Sequence, residues 1–289
     1  MRRVRAVDVM LLVTVVLWAL NLTVSRYVLT HGFEPLSYAT VRYGCAVAIF
    51  VVLARSLRFA RADAGLVAGA AALLFLNQLS FVYALERTTA ATVGLVLGSL
   101  PIFAGLIGLA VGLERLPARF WLGAVVSFGG VALVAAGSTG DLSGNLGGDL
   151  LAVATAATWA AYSVAVTPLM RRYSPLRISA VVLGLTWLGL LAVGLPQTAD
   201  QDFDLGWPVW VLFAFAVLGP LVLTNVLWYT ALHRVGPGRA TLAANLQPFV
   251  AAVFGVVLLS ERLSPLQGVG GGLIAAGILL AVRRVRSAP

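Results

Sequence analysis

The 289-residue sequence contains no lysine, a single cysteine and few charged residues of either sign. Cys45 has no second thiol to pair with, so the chain forms neither a disulfide nor a cysteine-based metal centre, and we expect Cys45 to pack as a small buried hydrophobe. Charged residues make up 11% of the chain and hydrophobic residues 60%, whereas soluble domains carry about 25% and about 45–50%. One core cannot hide that much apolar surface, so the composition indicates an integral membrane protein.

The net charge of +9 comes entirely from arginine, and the distribution of the arginines argues against a nucleic-acid partner. They stand in short clusters at the ends of apolar runs: RRVR at 2–5, RSLRFAR at 55–61, RRYSPLR at 171–177 and RRVR at 283–286. Such clusters are typical of the cytoplasmic loops of membrane proteins and do not form one basic binding face. We therefore expect the lipid bilayer, and not nucleic acid, to surround this chain.

Ten apolar segments follow one another with only short polar loops between them. A transmembrane helix needs about 20 apolar residues, and in lipid a helix satisfies its own backbone groups. The sequence therefore predicts an all-α integral membrane protein of ten transmembrane helices in a single domain. The predicted spans are 7–28, 35–55, 62–84, 89–112, 117–137, 147–170, 175–196, 206–231, 237–259 and 265–283. The first span resembles a signal peptide, but it is long enough to cross a bilayer, so we interpret it as a retained helix.

The arginines also predict the orientation. With the N-terminus in the cytoplasm, sixteen arginines fall in inner segments and three in outer ones, while Arg42 lies within a helix. Asp200, Asp202 and Asp204 fall in an outer loop. Because a miscounted helix would scramble this asymmetry, the positive-inside rule favours ten helices with both termini cytoplasmic. Arginine usage and tight loops indicate a bacterial inner membrane.

The two halves of the chain repeat one another. PIFAGLIGLAVGLERL at 101–116 corresponds to PFVAAVFGVVLLSERL at 248–263, at an offset of 147 residues. The same offset relates Gly123 to Gly270 and Gly130 to Gly277. The sequence thus predicts two five-helix repeats, over 7–137 and 147–283. Since five is odd, the second repeat crosses the membrane in the opposite sense, and inverted repeats are typical of secondary transporters that work by alternating access.

The chain resembles the drug/metabolite transporter superfamily, in its ten-helix branch with two EamA-type repeats. LWALNLTVSRYV at 17–28, EPLSYATVRY at 34–43 and YALERTTAATVGLVLGSLPIFAGLIGLAVGLERL at 83–116 carry the resemblance in the first half. The segment that begins WYTALHRVGPGRATLAANLQPF at 228 carries it through residue 280. The resemblance implies export of small metabolites, often amino acids or drug-like compounds, from a central cavity.

Helix 1 offers the first candidate binding residues. Thr14, Trp18, Asn21 and Ser25 are spaced by four, three and four residues, which places all four on one face. That stripe either lines a cavity or bonds to neighbouring helices, since Asn and Ser commonly join helices in membranes. For Trp18, the favoured interpretation is that it lines a cavity. Its counterpart in the second half is Trp159, which has Tyr162 beside it.

Arg42 is the most informative single residue. It lies seven residues past Pro35 in helix 2, about 10 Å along the helix axis. Because an arginine at that depth is costly, it must be paired, hydrated or functional. A guanidinium group fits a substrate carboxylate well. The alternatives are an ion pair with Glu34 or extension of the side chain toward the outer face. Tyr38, one turn earlier, shares its face.

Further polar and aromatic residues could complete a pocket for a zwitterion with an apolar or aromatic side chain. The candidates are Asn77, Asn225, Trp228 and Asn245. Pro101 and Pro248 fall in the middle of spans 4 and 9, where each removes a helical hydrogen bond, and we expect a pair of kinked gating helices. The charge pairs Glu114-Arg115 and Glu261-Arg262 fall at helix ends on opposite membrane faces, where we expect a structural role.

Several functions are disfavoured by the motifs that the sequence lacks. It contains no HExxH, no GxSxG and no P-loop, so neither a membrane-embedded enzyme nor ATP-driven transport is expected, and no metal or cofactor is predicted. No Asp or Glu lies in the middle of a predicted span, so the sequence does not indicate proton coupling. The leading hypothesis is an exporter of amino acids or related metabolites. Drug efflux and nucleobase or sugar transport are the alternatives, in a monomer or a homodimer.

Overall fold

The computed structural model describes residues 2–54, 56–112, 116–137, 142–228, 230–231, 244 and 246–282. All regular structure in these ranges is helical, as the sequence predicts. The helices are α1 (Arg2–Thr30), α2 (Pro35–Leu53), α3 (Ala64–Arg87), α4 (Ala90–Leu97), α5 (Leu100–Ala110), α6 (Ala118–Gly137), α7 (Leu142–Met170), α8 (Pro175–Ile178), α9 (Gly184–Ala199), α10 (Gly206–Val217), α11 (224–228), α12 (Gln247–Leu259) and α13 (Pro265–Val282). Two π-helical segments, Ser179–Leu183 and Leu218–Leu223, join α8 to α9 and α10 to α11.

The long apolar helices make this a multi-pass membrane protein. In the described residues, 7 helical segments are long and apolar enough to cross a bilayer, where α8 with α9 and α10 with α11 each count as one segment; the number is 8 when α4 and α5 also count as one bent span. The shorter α12 and α13 lie within the last two predicted spans, so the count of ten transmembrane helices stays a prediction. Large apolar side chains cover the outer surface, with Val52 84% and Val125 71% exposed. Cys45 also lies on that surface and is exposed, which corrects the expectation that it is buried.

Pro101 and Pro248 do not lie inside continuous helices. Span 4 is interrupted at Gly98 and Ser99, and α4 and α5 meet there at a bend of 44°. Pro101 is the second residue of α5, and Pro248 is the second residue of α12. Both prolines therefore lie in the first turn of a helix, and the predicted mid-helix position is wrong. In the first turn a proline interrupts no helical hydrogen bond.

Helices α6 and α13 pack against each other through glycines at very close range. A methyl group added at Gly123 would lie 2.5 Å from the carbonyl oxygen of Gly277, and one added at Gly130 would lie 2.5 Å from that of Gly270. The two helices are therefore antiparallel. Each glycine lies opposite the counterpart of the other glycine at the 147-residue offset.

The other contacts between the halves also occur in exchanged pairs. Helix α2 packs on α9, and α4 packs on α12. The contact of α1 with α12 has its counterpart in the contact of α5 with α7, and the contact of α3 with α7 has its counterpart in that of α1 with α10. This packing brings α1, α2, α3, α7 and the π-helical end of α10 around one central space.

Candidate functional site

Two adjoining cavities occupy the centre of the bundle, with volumes of about 370 Å³ and 120 Å³. We call them the large chamber and the small chamber. Eight residues line both: Trp18, Tyr43, Leu97, Leu100, Trp159, Pro220, Leu221 and Gln247. The shared wall makes the two chambers parts of one site.

The large chamber is mainly aromatic and apolar. Trp18 and Trp228 pack with ring centroids 5.1 Å apart, and Trp159 and Tyr162 with centroids 5.5 Å apart. Asn225, Pro101 and Pro248 also line this chamber. Its wall continues to Thr167 and Met170 in the last turn of α7, and Thr167 is exposed. The large chamber therefore reaches one end of the bundle.

The small chamber has polar residues from several helices in a largely apolar wall, and Arg42 is the charged residue among those that line it. The Arg42 side chain is buried, and its residue is only 4% exposed. Arg42 Nη2 donates to Asn21 Oδ1 at 3.0 Å, and Nε donates to the carbonyl oxygen of Ala216 at 3.3 Å. Both acceptors are neutral. Within the described part of the chain, Arg42 Nη1 has no hydrogen-bond partner, and no carboxylate lies within ion-pair distance of Arg42.

The ion pair with Glu34 that the sequence leaves open is not formed. The Glu34 carboxylate accepts a hydrogen bond from Gln197 Nε2 at 3.1 Å, and the Glu34 backbone N–H donates to Gln201 Oε1 at 2.7 Å. Glu34 precedes α2, so it lies about two helical turns from Arg42 along the chain. The guanidinium charge stays at the wall of the small chamber.

Tyr38 lies behind Arg42 and lines neither chamber. It is fully buried, and its ring packs edge-on against Phe33 and Phe213 at centroid distances of 5.7 and 5.9 Å. The Ser25 hydroxyl donates to Asn21 Oδ1 at 3.3 Å, so the Tyr38 hydroxyl, 2.8 Å away, donates to Ser25. This chain of bonds fixes the Asn21 carbonyl that receives Arg42. The structure therefore places Tyr38 in support of the site and not at its surface.

Asn77, Gln78 and Thr155 line the small chamber where α3 meets α7. Asn77 Nδ2 donates to the Thr155 carbonyl at 2.9 Å and to Thr158 Oγ1 at 3.3 Å, and Gln78 Nε2 donates to Asn77 Oδ1 at 2.9 Å. Asn77 thus lines the chamber as predicted while it also holds two helices together. Asn21 Nδ2 and Gln78 Oε1 make no hydrogen bond to another described residue, so they add a donor and an acceptor that a ligand in the chamber can use.

Within the stripe on α1, Trp18 and Asn21 reach the chambers, whereas Thr14 and Ser25 do not. Thr14 Oγ1 donates to the Met10 carbonyl of its own helix at 2.8 Å. Trp18 Nε1 donates to Thr224 Oγ1 at 2.9 Å. Thr224 and Pro220 are not among the residues predicted from the sequence. Pro220 carried a usable signal, because a proline inside an apolar span frees a backbone carbonyl.

The corner between α3 and α4, residues 85–92, is tied to three other parts of the bundle, and we call it the clasped corner. Arg26 of α1 donates to the carbonyls of Leu85 and Glu86, and Thr88 donates to Asp149 of α7 at 2.9 Å. The Glu261 carboxylate accepts the N–H groups of Ala90 at 2.8 Å and Ala91 at 2.9 Å. It therefore caps the start of α4, where an anion is favoured.

The other charge-pair residues have simpler positions. Arg262 is exposed, and no described carboxylate lies within ion-pair distance of it. Glu114, Arg115 and Asn245 lie outside the described residues. In the described part of the chain, no three His, Cys, Asp or Glu side chains converge in a way that could hold a metal ion.

A helical membrane bundle around a central cavity with a buried charge is the form of a membrane transporter, and comparison with known proteins agrees. The sequence matches the EamA-like transporter family over residues 5–136 and again over residues 146–283. The chain belongs to this family, within the drug/metabolite transporter superfamily that the sequence resembles. It is a transporter and not an enzyme.

Individual proteins with similar sequences are also named as transporters or exporters. An uncharacterized transporter of Archaeoglobus fulgidus is 25% identical over 285 residues, which cover 96% of this chain and 98% of that protein. A probable terminal-alkyne amino-acid exporter of Streptantibioticus cattleyicolor is 28% identical over 198 residues, 68% of this chain and 65% of that protein. A solved crystal structure at 20% identity aligns with a TM-score of 0.66 over 97% of this chain and 99% of that chain, which shows the shared fold.

Proposed function

We propose that this transporter exports small metabolites that carry a carboxylate, amino acids first among them, across a bacterial inner membrane by alternating access. One observation carries the proposal: Arg42 is buried at the wall of the small chamber with neutral acceptors, and its Nη1 group bonds to no described residue. The Asn21 amide adds a second free donor in the same chamber.

The electrostatics of the small chamber favour an anionic ligand. A buried charge is costly unless it is paired, and Asn21 and Ala216 supply only dipoles. A carboxylate would supply the missing charge, and a guanidinium group binds carboxylates through parallel N–H donors. Gln78 Oε1 offers a free acceptor for an ammonium group in the same chamber. An α-amino acid matches both groups.

The large chamber favours an apolar or aromatic body on the substrate. Trp18 and Trp159 line both chambers, while Trp228 and Tyr162 line the large one. A ligand whose carboxylate reaches Arg42 would extend its side chain between these rings. The printed name of the Streptantibioticus relative, a probable amino-acid exporter, supports the same substrate class. A neutral drug, nucleobase or sugar would leave the charge of Arg42 without a counter-ion.

Alternating access rests on the inverted repeat. The exchanged glycines of α6 and α13 and the paired helix contacts support two halves that are related by exchange. Under the arginine distribution both termini are cytoplasmic, and α7 ends at the cytoplasmic face beside Arg171 and Arg172. The large chamber would then open toward the cytoplasm, with the clasped corner closing the outer side, as an exporter needs when it loads its substrate.

Transport by purified protein in liposomes tests the substrate class. We expect uptake of labelled leucine or phenylalanine, competition by other carboxylates of similar size, and much weaker competition by the matching amino-acid amides. Arg42→Gln should raise KM for the acids by about 10- to 100-fold, because a hydrogen bond to a charged group is worth about 1.5–3 kcal/mol and more than one is lost.

Arg61→Gln is the matched control, because Arg61 is exposed and lines neither chamber. It should transport like the unmodified protein. Equal competition by acids and amides would overturn the proposal, and so would normal transport of acids by Arg42→Gln. Uptake of cations or sugars alone would move the substrate to one of the alternative classes.

A further inference from the structure

We propose that Pro220 is a positioning residue that turns Arg42 toward the substrate, by leaving the carbonyl of Ala216 free to receive it. The inference rests on the proposed function and names the element that gives the small chamber its selectivity for carboxylates. Pro220 lines both chambers, next to the group that it is inferred to position.

The first step is the missing hydrogen bond. In an α-helix the N–H of each residue donates to the carbonyl four residues earlier, and for Pro220 that carbonyl belongs to Ala216. Proline has no N–H, so this bond cannot form. The pairing is still α-helical at Leu218, whose N–H donates to Ala214, and is π-helical at Thr224, whose N–H donates to Gly219, so Pro220 lies in the segment Leu218–Leu223 where the pairing changes. Such single π-turns inside helices are frequent at functional sites.

Arg42 binds the carbonyl that Pro220 cannot bind. Arg42 Nε donates to Ala216 at 3.3 Å across 174 residues of sequence, while Nη2 donates to Asn21 at 3.0 Å. Two acceptors on two different helices therefore hold two of the three guanidinium nitrogens and fix the plane of the group. Arg42 lines the small chamber, and its Nη1 group has no partner in the described part of the chain. Because both acceptors are neutral, they orient the positive charge without neutralising it.

The third step is that the same segment also holds the large chamber. Thr224 Oγ1 donates to the Pro220 carbonyl at 2.6 Å and accepts the Trp18 indole N–H at 2.9 Å. Asn225 Nδ2 donates to the Leu221 carbonyl. Three side chains that line the chambers are thus held by carbonyls of residues 216–221. Arg42 binds Ala216, Asn225 binds Leu221, and Trp18 is linked to Pro220 through Thr224. One irregular segment sets the geometry of both.

Pro220→Ala tests the inference, because alanine restores the N–H that competes for the Ala216 carbonyl. We expect KM for carboxylate substrates to rise by about tenfold with little change in maximal rate, as for the loss of one bond from a charged donor. The competition by amides should not change. Pro196→Ala is the matched control, since Pro196 also lies inside a helix but is exposed and lines neither chamber.

Two comparisons separate a positioning role from a purely structural one. In an Arg42→Lys background the Nε donor is absent, so Pro220→Ala should have no further effect on KM. Replacement of Pro220 by lactic acid, which has the methyl group of alanine but no N–H, should restore the KM of the unmodified protein. Pro220→Ser restores the N–H as well and serves in the same comparison if Pro220→Ala does not fold.

The outcomes are distinct. An unchanged KM in Pro220→Ala, with transport of acids that still depends on Arg42, would overturn this inference and leave the proposed function intact. An equal effect of Pro220→Ala in the Arg42→Lys background would also overturn it. Absence of carboxylate transport by the unmodified protein would instead remove the proposed function itself.

Discussion

Arg26 and Arg42 both project from apolar helices, but their surroundings differ. Arg26 binds the clasped corner, and Arg42 lines the small chamber. Arg26 donates to two carbonyls at the end of α3, where the helix dipole is negative, and the carboxylates of Glu261 and Glu86 are near enough to attract it. Among the described residues, Arg42 has two neutral acceptors, and its Nη1 group has none. A charge that the protein itself satisfies indicates structure, and one that it leaves incomplete indicates a ligand.

The two ends of the bundle extend this contrast. At the clasped corner, Asp149, Glu261 and Arg26 all bind groups of residues 85–92, and Gln267 adds a bond to Thr92 at 2.9 Å. At the other end the wall of the large chamber runs out to the exposed Thr167. If alternating access operates, the bonds of the clasped corner are those that must break for release.

The largest expected effect concerns the glycine contact that relates the two halves. Gly130→Ala should destabilise the protein by about 1–3 kcal/mol, because the added methyl group would lie 2.5 Å from the carbonyl of Gly270 and the backbones must separate. The melting temperature in detergent should fall by about 2–10 °C. Gly129→Ala is the control, since no atom lies within 4 Å of its added methyl group. Equal melting temperatures for the two variants would contradict the close packing of α6 and α13.

Much of this architecture was predictable because lipid imposes simple requirements. A span must be apolar for about 20 residues, so the sequence predicted the 7 or 8 long apolar segments that the described residues contain. Arg42 was conspicuous because a charge interrupts such a run. Tyr38 was predicted on the same face as Arg42, which is correct, but a helix face is wide. Tyr38 is one turn nearer the start of α2 than Arg42, and there its ring contacts Phe33 and Phe213 and not the chamber.

The link between Pro220 and Arg42 could not be predicted, because its acceptor is a backbone atom. The Ala216 carbonyl has no signature in residue type, and 174 positions separate it from its partner. The break before Pro101 was expected as a kink inside a helix, but its position depends on where α5 begins. Sequence reasoning finds side chains that are out of place more readily than backbone groups that are left free.

Glu261→Gln tests whether the clasped corner holds the outer side closed. The variant loses the negative charge at the start of α4, which is worth about 0.5–2 kcal/mol, so the closed state should be populated less by about 2- to 30-fold. A cysteine at Leu22, which lines the small chamber, reports access in a Cys45→Ala background. An impermeant maleimide applied to the outer face should label it faster in Glu261→Gln.

Arg262→Gln serves as the control for that experiment, because Arg262 is adjacent in sequence but exposed. In this variant the cysteine at position 22 should be labelled at the same rate as in the protein with an unchanged clasped corner. Faster labelling in both variants would indicate a general effect of surface charge. An unchanged rate in Glu261→Gln would show that the remaining ties, through Asp149 and Arg26, are sufficient without it.

The smallest expected effect is that of Trp18→Phe, which keeps an aromatic ring between the chambers but removes the N–H that Thr224 accepts. A neutral hydrogen bond contributes about 0.5–1.5 kcal/mol, so KM for carboxylates should rise only about two- to tenfold. Trp121→Phe is the control, because Trp121 is 48% exposed and lines neither chamber. Since Thr224 also bonds the Pro220 carbonyl, the effects of Trp18→Phe and Pro220→Ala should be less than additive. Strict additivity would mean that the indole and the guanidinium are positioned independently, and that the π-helical segment does not organise the chambers as one site.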